Sequence, residues 1–161
     1  MKLKKQNNKV AIIMGSQSDH PIMSDCEKIF KILNVKYQVL IVSAHRTPKR
    51  MFDFADKAEK NGFGVIVAGA GGAAHLAGMV ASLTTLPVIG VPIESKKLKG
   101  LDSLLSVNQM PQGVVVATVA IDGAFNAGIL AASIIGNFDE KVKSNLEKWR
   151  RIQTQSIKKR P

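Results

Sequence analysis

A chain of 161 residues can form one domain that buries roughly two thirds of its unfolded surface. With 45% hydrophobic residues and only 5% aromatics, it fits a soluble globular protein whose core must rest on Val, Ile, Leu, Ala and Met. The net charge of +11 sits mainly at the ends, with +4 in residues 1–9 and +5 in residues 138–161, leaving +2 for the body, which argues against a dedicated DNA or RNA surface.

The opening MKLKKQNNKVAIIMG is basic, but its apolar run Val10–Met14 is too short for a signal peptide. Val10–Met14 reads instead as a first strand. Ile22, Met23, Cys26, Ile29, Phe30 and Leu33 then form a one-sided helical stripe. Cys26 falls on its apolar face, where a packed, inert thiol is expected. As the single cysteine it can form no intrachain disulfide, so a reducing compartment, the cytoplasm, is expected. Tyr37–Val42 reads as a second strand. Thr47-Pro48 opens the next helix, Thr as cap and Pro at the first position, with Met51, Phe52, Ala55 and Ala58 facing inward. A third strand at Gly64–Ala68 leads to a helix from Ala73 to Leu83. A fourth at Val88–Pro92 leads to a short helix from Leu101 to Val107, and a fifth strand spans Val114–Ile121.

After Gly136 the composition changes. Val142, Leu146, Trp149 and Ile152 make a helical stripe on a charged segment. It could pack on its own domain, or reach a neighbouring subunit; the second placement is preferred because the preceding unit already looks closed. The organisation expected is a single domain of residues 1–161. It comprises a basic arm at 1–9, an α/β core at 10–136, and a C-terminal helix with basic tail at 137–161.

Alternating strands and helices imply a parallel sheet covered on both faces by right-handed crossovers. Five strands in this rhythm suggest a three-layer, flavodoxin-like α/β fold of order 2-1-3-4-5 with an extra C-terminal helix. Ligands of such sheets bind beyond the carboxyl ends of the strands, where strand order reverses. Asn61 to Ile93 also runs 33 residues without Asp, Glu, Lys or Arg. Its glycines, Pro87 and strand-helix alternation exclude a membrane span. Its helix, apolar nearly all round, is expected to be covered on a further side by another copy of the chain.

Three loops should then share one sheet edge. Gly15-Ser16-Gln17-Ser18-Asp19 offers helix-terminal amides and hydroxyls for a phosphate, and a carboxylate for ribose hydroxyls; Ser18 or Asp19 could equally just cap the helix. Ser43-Ala44-His45-Arg46 offers a planar cation suited to phosphate oxygens and the one side-chain type that titrates near neutrality unaided. Gly69-Ala70-Gly71-Gly72-Ala73-Ala74-His75-Leu76 lets backbone approach a ligand closely. GAGGAA also fits a dinucleotide fingerprint, with Glu94 about 20 residues on, but it follows the third strand and not the first. Its neighbour His75 could simply start a helix, and His20 reads as a surface residue. Together the loops describe a phosphorylated-ribose pocket with one acid-base residue. No metal cluster, Walker lysine motif or Ser-His-Asp spacing is evident.

The segments MGSQSD, VSAHRTP, AGAGGAAHLAGMVAS, PVIGVPI and LDSLLSVNQMPQGVVVATVAI closely resemble the class I 5-(carboxyamino)imidazole ribonucleotide mutases of de novo purine biosynthesis, from about Val10 to Ile135. The resemblance implies a flavodoxin-like homo-octamer with sites near subunit contacts. It also implies a reaction that moves a carboxyl group from an exocyclic nitrogen to ring carbon 4, without ATP, metal or other cofactor. His45 would shuttle the proton. Ser18, Asp19, Ser43 and Arg46 would hold the ribose phosphate, while Ser16, Ala44, Gly71 and the backbone of Ala74, His75 and Leu76 would line the carboxylate and CO2 region. The chain departs from the family pattern at Ala77 and Val115, where Pro is common, and in a shorter loop at Ile121–Asn126. Other readings are a carboxylase of the same fold that takes free CO2, and a non-catalytic flavin- or nucleotide-binding module. The partners expected are a ribonucleotide and further copies of the chain, with no nucleic acid and no membrane.

Overall fold

The computed structural model describes residues 7–160. Most of the basic arm expected at 1–9 therefore lies outside the described residues. Its last residues are tied to the domain: Asn7 Nδ2 donates to the Glu59 carbonyl, Asn8 Nδ2 to Asp139 Oδ2, and Lys9 begins the first strand.

The elements run β1 (Lys9–Met14), α1 (His20–Leu33), β2 (Lys36–Ile41), α2 (Pro48–Lys57), β3 (Phe63–Gly71), α3 (Leu76–Ala81), β4 (Val88–Ile93), α4 (Leu101–Asn108), β5 (Ala117–Thr118), α5 (Ala124–Ile135) and α6 (Glu140–Ser156). The five strands form one parallel sheet of order β2-β1-β3-β4-β5, as the strand-helix rhythm predicts. Alternation along β1 divides the core into two layers. Val10, Ile12 and Met14 face the layer of α1, α5 and α6, whereas Ala11 and Ile13 face that of α2, α3 and α4. β3 and β4 are central strands covered on both faces, which accounts for much of the uncharged run from Asn61 to Ile93.

The stripe predicted on α1 is buried except for Ile22, which is partly so, and the helix stops where Asn34 turns left-handed at φ 57°. Burial pushes the Cys26 thiol well above its ordinary range, in keeping with a packed, inert group. On α2 one inward residue differs: Phe54 is buried, while Phe52 is 53% exposed. The inner positions 51, 54, 55 and 58 follow strict helical spacing, and Phe52 lies off that face.

Three expectations need correction. The fifth strand is only Ala117–Thr118. Gly90 and Pro92 of β4 turn their carbonyls toward this edge, accepting from Val119 and Asp122, but Pro92 has no N–H to return a rung. The third helix covers Leu76–Ala81, because Gly72 at φ 69° and a turn at Ala73–His75 keep the preceding residues in the loop. The C-terminal stripe packs on its own domain: Val142 and Leu146 are buried in the core, Trp149 packs on Phe125, and Asn145 Nδ2 donates to the Leu33 carbonyl at 2.9 Å. Only Ile152, 56% exposed, faces outward.

Candidate active site

The carboxyl ends of β1, β2 and β3 bring the three predicted loops around one hollow of about 460 Å³. Gly15, Ser16, Ser18, Asp19, Ser43, Ala44, His45, Arg46, Gly71 and Leu76 all line it.

After β1 the chain makes a single 3₁₀ turn, Gln17–Asp19, before α1. Ser16 is its cap. Its hydroxyl accepts from the Ser18 N–H at 3.1 Å, while the Ser16 N–H donates to Asp19 Oδ2 at 3.0 Å, a reciprocal capping box. Capping thus falls to Ser16, and Asp19 itself makes no side-chain cap to α1. The hydroxyls of Ser16 and Ser18 are hydrogen-bonded to each other at the mouth of the hollow. Partial burial pushes the Asp19 carboxyl above its ordinary value, while hydrogen bonds from Ser16 and Ser18 and the nearby Arg46 charge pull it back.

After β2 the turn locks itself. The Ser43 N–H donates to Thr47 Oγ1 at 2.9 Å, and that hydroxyl donates to the Ser43 carbonyl at 3.1 Å. Thr47 therefore clamps the turn and does not cap α2 with its side chain. The buried Ser43 hydroxyl accepts from the Arg46 N–H at 3.1 Å, and Arg46 Nη2 donates to the Gly15 carbonyl at 2.8 Å. Its Nε also reaches Ser43 Oγ at 3.5 Å, so one guanidinium ties the second loop to the first and keeps its Nη1 donors for an anion.

The third loop brings a second imidazole. His45 Nε2 and His75 Nδ1 are hydrogen-bonded at 2.9 Å. His75 does not line the main hollow but an adjoining apolar one of about 300 Å³, with Gly78, Met79, Met110 and Pro111. Ala74 is fully buried and lines neither. Ala73 and Leu76 line the main hollow, while Ala74 and His75, expected to contribute backbone there, are not among its lining residues. His20 is paired with Glu27 on the surface.

Ile93, Glu94 and Ser95, at the end of β4, complete the wall and were not assigned from sequence as part of this pocket. The rule that places ligands at strand carboxyl ends applies equally to this strand and could have found them. In the sequence Glu94 stands out only as the acidic residue about 20 positions after the GAGGAA stretch. Its N–H donates to Asp122 Oδ1 at 2.9 Å, and Asp122 holds a left-handed φ of 56°.

The fold and this edge define a class: flavodoxin-like parallel α/β proteins whose carboxyl-edge hollow is lined by serine hydroxyls, one guanidinium and one imidazole. The chain belongs to the AIR carboxylase family, whose description matches residues 9–156. It is 52% identical to an N5-carboxyaminoimidazole ribonucleotide mutase of Escherichia coli K12, over 95% of this chain and 92% of the relative. It is 58% identical to the Thermotoga maritima enzyme of the same name, over 89% and 86%, respectively. The crystal structure of Treponema denticola PurE superposes with a TM-score of 0.85 at 27% identity, covering 92% of this chain and 93% of that one. Among the described residues, no helix is long and apolar enough to cross a membrane, and no group of three His, Cys, Asp or Glu is placed to hold a metal.

Proposed function

We propose that this chain works as an N5-carboxyaminoimidazole ribonucleotide mutase in purine biosynthesis, with His45 as its proton carrier. The observation that carries the residue assignment is the placement of His45 and Arg46 on one wall, facing serine hydroxyls and the glycine-rich loop across a single hollow. Arg46, Ser18, Asp19 and Ser43 hold the ribose phosphate, with Ser43 acting chiefly through the Arg46 turn it stabilises. Ser16, Ala44, Gly71 and Leu76 line the region of the carboxyl group.

The reaction must give one proton and take one. His45 as imidazolium protonates the carbamate nitrogen as its C–N bond breaks and CO2 departs. Carbon 4 of the aminoimidazole then attacks the captive CO2, the new C–C bond forms, and neutral His45 removes the ring proton. Imidazole suits both steps because it changes charge near neutral pH. Holding CO2 in place keeps its effective concentration high. Incubation with substrate labelled in the carbamate carboxyl tests the reading: label should appear on ring carbon 4. Product labelled instead from dissolved bicarbonate would mark a carboxylase that uses free CO2.

The assembly is a cytoplasmic homo-octamer. Val115, 79% exposed, together with exposed Leu98, Leu101 and Leu105 and the apolar hollow beside His75, supports coverage by further copies. Light scattering should return eight times the chain mass.

A further inference from the structure

The loop after β3 has almost no side chain with which to hold its own shape. Gly71 and Gly72 carry none and Ala73 carries a methyl. Gly72 sits at φ 69°, and nothing lies within 4 Å of the place a Cβ would occupy, so glycine there answers the backbone turn and not crowding. What fixes this loop comes from α4 behind it. The Gly72 N–H donates to Ser103 Oγ at 2.8 Å, and the same hydroxyl donates to the Ile93 carbonyl at 2.6 Å. Pairing of β3 with β4 ends at Gly71 opposite Ile93, so the Ser103 hydroxyl inserts one more rung just past the last. The Ser106 hydroxyl reaches the Gly72 carbonyl at 3.3 Å while bonded to the Asp102 carbonyl at 2.7 Å. The peptide before the Gly72 Cα is therefore held by α4, and the one after it shares, more weakly, a hydroxyl proton that goes mainly to Asp102. Asp102 Oδ1 extends the hold to the loop after β4, accepting from the Ser95 hydroxyl at 2.7 Å.

Ser103 is fully buried and forms no part of the hollow's wall, so it cannot touch a ligand there. We infer that Ser103, seconded by Ser106, is a positioning residue for carboxyl transfer, fixing the peptide planes of the Gly71–Ala73 wall against which CO2 is held between release and recapture. The inference rests on the mutase reading above. Removing the hydroxyl leaves an N–H and a carbonyl without their partner, and such groups are costly to leave unpaired. Rotation of the glycine peptides, which no side chain resists, is the easy adjustment. A rotated wall opens an exit for a small neutral molecule, while Arg46 and the serines of the first two loops stay where they are. Transfer then competes with leakage although substrate still binds.

The test compares Ser103→Ala and Ser106→Ala with the unaltered chain, using substrate carrying carbon-13 in its carbamate carboxyl. The reaction runs in unlabelled bicarbonate kept in equilibrium with CO2 by carbonic anhydrase. The readout is the fraction of product that keeps the label, net of exchange without enzyme, together with kcat and KM. Retention by the unaltered chain establishes the mutase reading; loss there sinks that reading and the role of Ser103 with it, whereas retention there with unchanged retention in Ser103→Ala sinks the role alone. Ser103→Ala should lose label roughly tenfold more often per turnover, and Ser106→Ala by a smaller factor, with KM close to that of the unaltered chain. The fraction is a ratio within each turnover, so partial unfolding cannot move it. Unchanged retention in Ser103→Ala overturns the inference. Should that variant yield no folded protein, unchanged retention in Ser106→Ala overturns it.

Discussion

His45 Nε2 and His75 Nδ1 meet at 2.9 Å with their rings edge-on at 84°. In such a pair one nitrogen donates and the other accepts, so the two rings cannot both carry a proton at the shared contact. An imidazolium at His45 therefore requires His75 to be neutral, with its own proton on the far nitrogen. His75, outside the hollow, is placed to orient the acid-base group proposed at His45. His75→Leu is expected to lower kcat about tenfold while KM stays within about twofold, because orientation is lost and contact is not. His75→Asn, which keeps an acceptor, should recover part of the loss. Steady-state kinetics decide it: an unchanged kcat in His75→Leu would show that the hydrogen bond between the rings plays no part in turnover.

His45→Asn removes the proposed proton carrier but keeps a polar group of similar reach. Ribonucleotide binding, followed by calorimetry, should remain, while turnover falls by about 10²–10⁴, the usual contribution of general acid-base catalysis. Retained turnover would remove His45 from the mechanism.

Arg46 ties two loops together and is proposed to hold the phosphate, and substitution should test the second task. The guanidinium bonds to the Gly15 carbonyl at 2.8 Å and still presents donors to the hollow. Lysine keeps the charge but not the planar fork, so it cannot reach Gly15 and a phosphate in the same geometry. Arg46→Lys should therefore raise KM by about tenfold or more, since a charge-assisted hydrogen bond contributes about 1.5–3 kcal/mol. kcat should change little. A KM unchanged in Arg46→Lys would place the phosphate elsewhere.

Much of this was legible in the residues. Strand order, the α1 stripe and the convergence of three loops follow from period and alternation, which are local signals. α5 escaped because Ala124–Ile135 is apolar on nearly every side, so no polar face marks the period; its inner face is instead a repeat of small residues at 124, 127, 128, 131 and 132. The short β5 depends on one missing N–H at Pro92, visible only once the carbonyls of β4 are known to face that edge. The hydrogen bond between His45 and His75, and the hold of Ser103 on Gly72, join residues about 30 apart in the chain and need coordinates. Glu94 and Ser95 were within reach, since the rule that selected the first three loops also selects theirs.

The pH dependence of stability should carry a mark from Asp19. Burial raises its carboxyl above the ordinary 3.8, against the opposing pull of Ser16, Ser18 and Arg46. A carboxyl raised in the folded state keeps its proton to higher pH than in the unfolded chain. It therefore supports the fold at low pH, and that support is lost as pH rises from the unfolded value through the folded one. At neutral pH the ionised group is a stability cost kept at a position that lines the hollow. Asp19→Asn should flatten the fall in Tm across this range, leave Tm at neutral pH equal or higher, and raise KM. Calorimetry from about pH 4 to pH 7 checks the sign. A Tm that rises in the unaltered chain relative to Asp19→Asn over that range would contradict it.

Gly128 lets α5 lie against α1. A Cβ at that position would stand 2.4 Å from Ile29 Cγ2 and 3.2 Å from Cys26 Sγ. Both neighbours are fully buried, so neither side chain can swing away. In an unobstructed helix Gly→Ala stabilises by about 0.5–1 kcal/mol. Here overpacking, at about 1–3 kcal/mol, outweighs that gain and reverses the sign. Gly128→Ala should therefore lower Tm by several degrees, at about 2–4 °C per kcal/mol for a chain of this size. The strain begins far from Arg46 and the serines, so kcat/KM well below the melting range should stay close to that of the unaltered chain. A Tm at or above the original would show slack between α1 and α5 that the 2.4 Å approach does not allow.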